Sequence, residues 1–330
     1  MALKRILSGM RPTGRLHIGH LAGALENWIK LQNSGLYQNY HLIADYHVLT
    51  TNSSSEGIEE DSFQMVIDWL SAGLDPEKSP LFRQSQIKEH TELFLIFSML
   101  ITVPRLERNP TLKDQLRDLD IGSVLYGHLG YPVLQAADIL LYKGEYVPVG
   151  EDQVPHVEIT REIARHFNDR FGFVFKEPEP LLTASSRLLG LDGNAKMSKS
   201  LGNTILLSDE PETVFGRLKK AVTDTQKVRK GDPGRPEVCV VYQYHQTFNS
   251  SETEEIATNC RSGALGCSDC KKRCSESINA VLAPFLEKRK TLEANPEFVR
   301  DVLADGEKRA RITAGETMSQ VREAMKLGIV

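Results

Sequence analysis

The chain has 330 residues, 40% of them hydrophobic and 25% charged, with a formal net charge of −4 at pH 7. This is the composition of a soluble globular protein, and the length predicts two domains or one domain with a large insertion. The longest apolar run, Leu93 to Ile101, is too short to span a bilayer, and no basic, apolar-cored leader opens the chain, so export is not expected.

In chain order, Ile6-Leu7 reads as a strand, followed by a glycine-containing turn and an apolar-periodic helix over 21–29. Strands are expected at Tyr40–Asp45, at Pro80–Gln84 and ending at Tyr146–Gly150. Between and after them, helices are expected at Phe63–Ala72, at Leu93–Ile101 (buried), at Tyr131–Leu141 and at His156–Phe167. This alternation predicts an α/β fold, a doubly wound parallel sheet of the Rossmann type, with ligand groups at the C-terminal ends of its strands. After Ser200 the pattern turns helical and basic, with a loop at Gly231–Pro236 and charged clusters at Arg217–Lys220, Lys227–Lys230 and Lys271–Arg273. Those clusters read either as solvated helix faces or as a polyanion surface. The expected organisation is a catalytic domain over 1–200, a mostly helical domain over 201–298, and a last amphipathic helix, Ala304–Met325, packing back on the first domain.

Two strings carry the chemistry. Pro12-Thr13-Gly14-Arg15-Leu16-His17-Ile18-Gly19-His20 joins a strand to a helix, so unpaired N–H groups and a positive dipole end are available to phosphate. His17 and His20 add side-chain donors, and Gly19 leaves room for a base or ribose against the backbone. Lys196-Met197-Ser198-Lys199-Ser200 offers two ammonium groups and two hydroxyls between loop residues, a setting suited to a triphosphate whose charge moves during reaction. Asp138, inside an apolar helix, needs a partner, either a ligand donor or a structural one. Glu151 and Asp152 are either ligand groups or favourable charges at a helix start.

Five cysteines, Cys239, Cys260, Cys267, Cys270 and Cys274, cluster in a protein expected to be cytoplasmic, where disulfides are rare. A C-x2-C pair beside further cysteines is a metal-site pattern, open by spacing to either zinc or a [4Fe-4S] cluster.

On these strings, and on Ser8–Gly14, Tyr131–Leu140 and Val149–Gln153 followed by His156, Glu158, Thr160 and Arg161, the chain resembles the bacterial tryptophanyl-tRNA synthetase family of class I aminoacyl-tRNA synthetases over essentially its whole length. The resemblance implies a cytoplasmic homodimer that uses ATP, Mg2+, L-tryptophan and tRNA(Trp). It implies an ATP site of Arg11, Pro12, Thr13, Gly19, His20, Gly150, Glu151, Asp152, the backbone near Leu189, and Lys196, Met197, Ser198, Lys199 and Ser200. His17, His20, Lys196, Lys199 and Ser200 would be the catalytic groups. Asp138 would accept the indole N–H, with Gln135 and Gly9 also at the tryptophan. The cysteine spacing is similar to that of the family members with a [4Fe-4S] cluster, which implies Cys239, Cys260, Cys267 and Cys270 as ligands and leaves Cys274 over. The common bacterial pattern has methionine at Gln135 and asparagine at His20. A glutamine in that helix also occurs in tyrosine-specific relatives, so a tyrosine enzyme is one alternative. A non-catalytic RNA-binding protein on the same scaffold is the other, and the lysine string argues against it.

Overall fold

The computed structural model describes residues 3–52, 54–113, 124–182, 188–193, 197–198 and 201–328. The chain forms two compact units, one of residues 1–14, 28–184 and 295–330, the other of residues 15–27 and 185–294. The division does not fall at residue 200, because 15–27 and 185–200 group with the helical unit.

The first unit is built on five parallel strands: β1 (Lys4–Met10), β2 (Tyr37–Ile43), β3 (Leu81–Arg83), β4 (Tyr146–Val149) and β5 (Glu179–Leu182). Their order is β3-β2-β1-β4-β5. The chain winds outward from β1 to β3, then returns to β4 on the other side of β1. Direction reverses between β1 and β4, and in such sheets the crevice at that switch point is the ligand site. Ile6 and Leu7 are buried at the sheet centre, as a strand covered on both faces requires.

Helices Ile58–Ala72, Tyr131–Leu141 and Val154–Phe171 cover the sheet. Gly73, at φ +115°, ends the first of them in the left-handed conformation that glycine adopts without strain. The core joins Leu7, Tyr40, Leu42 and Val147 of the strands to Val133, Ala136, Ala137 and Leu140 of the second helix and Phe167 of the third. Helix Pro296–Ala324 starts at an Asn295 cap, whose side chain accepts from Phe298 N at 3.3 Å, and adds Ala310, Ala314 and Met318 to the same core.

The run Leu93–Ile101 is not a wholly buried helix. The helix spans Glu89–Ser98, with Leu93, Ile96 and Phe97 inside but Leu95 exposed, as is Met99 just beyond its end. β5, with the sequence Glu179-Pro180-Leu181-Leu182, is a part-exposed edge strand whose proline suits an unpaired edge.

In the second unit, residues 16–18 run antiparallel to residues 205–207, through Ile18 N to Ile205 O at 3.0 Å and Leu207 N to Leu16 O at 2.9 Å. Its longer helices are Pro211–Lys219, Val240–Phe248, Thr253–Arg261 and Cys267–Glu293. Among the described residues no helix is long and apolar enough to cross a membrane.

Candidate active site and cysteine cluster

At the switch point, β1 delivers Gly9, Met10, Arg11, Pro12 and Thr13, and β4 delivers Gly150, Glu151 and Asp152. Arg11, Thr13, Glu151 and Asp152 are solvent-exposed. Thr13 N closes a tight turn on Arg11 O at 2.9 Å, and Gly14, at φ +95°, completes it where a side chain would be strained. Asp152 O accepts from Thr111 Oγ1 at 2.8 Å. Gly9 is exposed on one side and crowded on the other: a Cβ there would lie 2.9 Å from Leu42 O of β2. Packing alone thus demands a glycine at this position.

Beside that crevice, helix Tyr131–Leu141 aligns Tyr131, Gln135 and Asp138 on one face by their helical spacing. The Asp138 carboxylate is buried and held by three protein donors. Gln84 Nε2 (2.6 Å) and His90 Nδ1 (2.7 Å) bind Oδ1, and His47 Nε2 binds Oδ2 at 2.8 Å. Burial opposes its charge, but hydrogen bonds and charge from His47 and His90 prevail and lower its pKa below the usual carboxylate value. A carboxylate has about four acceptor positions. Three are taken, which leaves the fourth on Oδ2.

The cage also holds polar atoms with no hydrogen-bond partner among the described residues: His47 Nδ1, Gln84 Oε1, Gln135 Oε1 and His156 Nε2. Rings of His47 and His156 meet Tyr131 edge-on, with centroids 4.8 and 5.1 Å away. His156 is kept neutral by burial, its pKa lowered to about 4. Sequence reasoning missed Gln84 and His90, which had no local pattern, whereas Asp45-Tyr46-His47 could be read at a strand end as either pocket lining or a strand terminator; only the fold brings Gln84, His90 and His47 to Asp138. Asp45, at the end of β2, is taken up by Tyr46 N, Ser85 N and Ser85 Oγ, a structural role.

In the second unit the two sequence strings meet. A Cβ on Gly19 would lie 2.9 Å from His17 Nδ1 and 3.4 Å from Met197 Sδ, so glycine lets Met197 close on this turn. The His17 and His20 rings lie tilted against each other with centroids 3.7 Å apart, and His17 N donates to His20 Nδ1 at 3.1 Å. The helix they open passes at once into a π-helical turn, Leu21–Leu25, an irregularity common at functional sites.

Asn203 organises the second string, accepting from Ser198 N at 2.7 Å and donating to Asp192 Oδ2 at 3.1 Å. The sequence had offered it only as a loop residue. Lys196, Lys199 and Ser200 lie outside the described residues. Leu189, expected to offer its backbone to adenine, is bonded within its own unit. Its N–H donates to Gln243 Oε1 at 3.3 Å and its carbonyl accepts from Tyr244 OH at 2.6 Å.

Cys239, Cys260, Cys267 and Cys270 are free and partly buried. Burial and the neighbouring Cys239, Cys260 and Cys267 push the Cys270 thiol up to about 12. Yet among the described residues no group of three or more His, Cys, Asp or Glu stands in metal-holding geometry, so the expected ligand shell is not assembled. The donor chemistry still fits a thiolate-bound group. The thiols are close enough to perturb one another, and a Cβ at Gly234 would lie 2.7 Å from Cys260 Sγ. Cys274, one helical turn beyond Cys270, is fully buried, with its thiol toward Val241 O at 4.0 Å.

Of the adjacent basic residues, two are engaged. Lys271 Nζ donates to Lys219 O (2.8 Å) and Ala221 O (2.7 Å), and Arg273 pairs with Glu255 at 3.3 Å. Only Lys272 of the trio has no such bond described.

A parallel 3-2-1-4-5 sheet in one unit, and in the other a histidine-bearing turn against Met197, fit a nucleotide-using enzyme. A family model described as tRNA synthetases class I (W and Y) matches residues 3–283. A Thermotoga maritima tryptophan--tRNA ligase is 49% identical, with 98% of this chain and 99% of that protein covered. One from Aquifex aeolicus is 40% identical, covering 98% and 100%. The crystal structure of Campylobacter jejuni tryptophanyl-tRNA synthetase complexed with ADP and tryptophan superposes with a TM-score of 0.87 at 34% identity, covering 98% of this chain and 100% of that one. The chain belongs to the class I aminoacyl-tRNA synthetases, in the branch of the tryptophan--tRNA ligases.

Proposed function

We propose that the crevice beside β1 and β4 activates L-tryptophan with Mg2+-ATP, and that the adenylate is passed to tRNA(Trp). The observation that carries the amino-acid choice is the remaining acceptor position on Asp138 Oδ2, in a cage whose other polar atoms wait for partners. An indole N–H fills it. Gln135 and Gly9 flank the amino acid. Arg11, Pro12, Thr13, Gly150, Glu151 and Asp152 of the first unit hold ATP, and Gly19, His20, Met197 and Ser198 of the second are assigned to ATP from the two sequence strings. His17 and His20 donate to the phosphates.

The tryptophan carboxylate attacks the α-phosphorus, the bond to pyrophosphate breaks, and the leaving group takes the electron pair. Lys196, Lys199 and Ser200, assigned from the sequence string alone, grip the departing pyrophosphate. The tRNA ribose hydroxyl then attacks the adenylate carbonyl and releases AMP. No side chain forms a covalent intermediate, and positioning and charge stabilisation carry the rate.

Cys239, Cys260, Cys267 and Cys270 would hold a [4Fe-4S] cluster, with zinc as the alternative. When bound, the group supplies a cross-link and no step of aminoacylation. A homodimer is supported by the exposed apolar side chains of Leu95, Met99, Val103, Leu125 and Tyr126. ATP–pyrophosphate exchange with tryptophan and with tyrosine tests the whole reading. Exchange with tryptophan alone is expected. Equal exchange with tyrosine makes it a tyrosine enzyme, and no exchange with either leaves an RNA-binding protein.

A further inference from the structure

We infer that helix Pro296–Ala324 is a clamp that sets the tryptophan-selecting carboxylate from behind, with Glu307, Arg311 and Thr313 as positioning residues. The inference rests on the reading of Asp138 as the indole acceptor.

Asp138 Oδ1 is held only by protein groups, and both routes back from it end on this helix. The first route is short. Gln84, whose Nε2 binds Oδ1 at 2.6 Å, sits in the segment Arg83–Gln86. Glu307 grips the start of that segment, accepting from Arg83 Nε at 2.7 Å. Arg311 grips its end, donating Nη2 to Gln86 O at 2.8 Å. Glu307 and Arg311 are one helical turn apart and so share a face.

The second route is aromatic. His90 binds Oδ1 through Nδ1 and the Tyr142 hydroxyl through Nε2, at 2.7 and 2.9 Å. Tyr142 stacks on Tyr40 at 5.0 Å, and Tyr40 OH meets Thr313 Oγ1 at 3.0 Å. The helix can reach this far because Gly306 has no side chain: a Cβ there would lie 2.0 Å from Leu81 O of β3. Oδ2, by contrast, has His47 and no link to the helix among these bonds. The clamp therefore fixes one oxygen and leaves the other to the substrate.

A clamp predicts an effect on recognition, not only on stability. The probe is an indole isostere whose N–H is replaced by sulfur, compared with tryptophan in ATP–pyrophosphate exchange by the full chain. Glu307→Ala combined with Arg311→Ala is expected to raise the KM for tryptophan about tenfold and to reduce the preference over the isostere by a similar factor, with the KM for ATP changed less than about twofold. Glu307→Gln should restore most of the preference, because an amide oxygen still accepts from Arg83. Thr313→Val tests the second route without touching an ion pair, and should lower the preference in a folded protein if the double variant fails to fold. A fall in Tm with the preference unchanged in Thr313→Val and Glu307→Ala overturns the clamp. Asp138→Asn separates the two readings. If it keeps the preference, the acceptor assignment itself falls; if it alone loses the preference, only the clamp falls.

Discussion

Replacing His41 with phenylalanine should flatten the acid side of the stability curve. His41 lies on β2 with no exposed surface, and neither ring nitrogen has a hydrogen-bond partner among the described residues. Its ring stacks on Trp28 at 5.0 Å and meets Trp69 edge-on at 6.3 Å. Burial without a compensating charge lowers its pKa to about 3. An unfolded chain would bind a proton there near pH 6.5. Below that pH the unfolded state binds more protons than the folded one, so stability rises with pH and is lost as pH falls from about 6.5 toward 3.

Between pH 7 and 4.5 this one group should cost the protein about 2.5 kcal/mol, at about 1.4 kcal/mol per full unit. His41→Phe removes that loss and keeps an aromatic ring between the tryptophans. It also removes two unsatisfied nitrogens, so a gain of about 1 kcal/mol is expected even at pH 7. Urea unfolding followed by circular dichroism at pH 7, 6, 5 and 4.5 measures both effects. His156 acts in the same direction in both proteins, so the difference between their curves isolates His41. Parallel curves across that range would refute the reasoning, because they would mean that His41 is already protonated or already hydrogen-bonded in the folded protein.

Asp138→Asn removes a charged acceptor and turns an amide donor toward Gln84, His90 or His47. Activation of tryptophan should fall by at least about a hundredfold in kcat/KM, and stability by about 2–3 kcal/mol, read by pyrophosphate exchange and urea unfolding. The lowered pKa of Asp138 adds stability that is present above the ordinary aspartate pKa and lost as acid titrates the group below it, so Asp138→Asn should weaken the dependence on pH below about 4. Lys271→Met should cost about 1 kcal/mol of stability and leave the salt dependence of tRNA binding unchanged, since its ammonium caps carbonyls. Lys272→Ala should reduce that salt slope by about one unit if the residue meets a phosphate. Cys270→Ser should release whatever metal the cysteines hold and lower stability and tRNA charging more than adenylate formation, whereas Cys274→Ser should keep the metal. Metal analysis finding zinc and no acid-labile sulfide would replace the cluster with a zinc site.

The sheet was legible because each central strand is a short apolar run and each crossover helix carries its own periodicity, as Tyr131–Leu141 does, matching its expected limits. β5 was not, because an edge strand made of Glu179, Pro180 and two leucines carries no alternation. The same contrast runs through the site. Short motifs announced His17, Gly19, His20 and Asp138, since the turn and the helix that present them are local. Their partners came from far along the chain: His90, Gln84 and His47 around Asp138, and Asn203 behind Ser198.

Lys271 and Leu189 differ in that each looked available in one dimension, and the fold bonds its polar groups to neighbours fifty or more residues away. A motif therefore proposes which atom meets a ligand, while tertiary contacts decide which of that atom's bonding positions stay open. For Asp138 that distinction is physical. The carboxylate was readable as a costly buried charge, but which acceptor position it keeps open is set by three donors filling the other three, and none of those donors lies on its own helix.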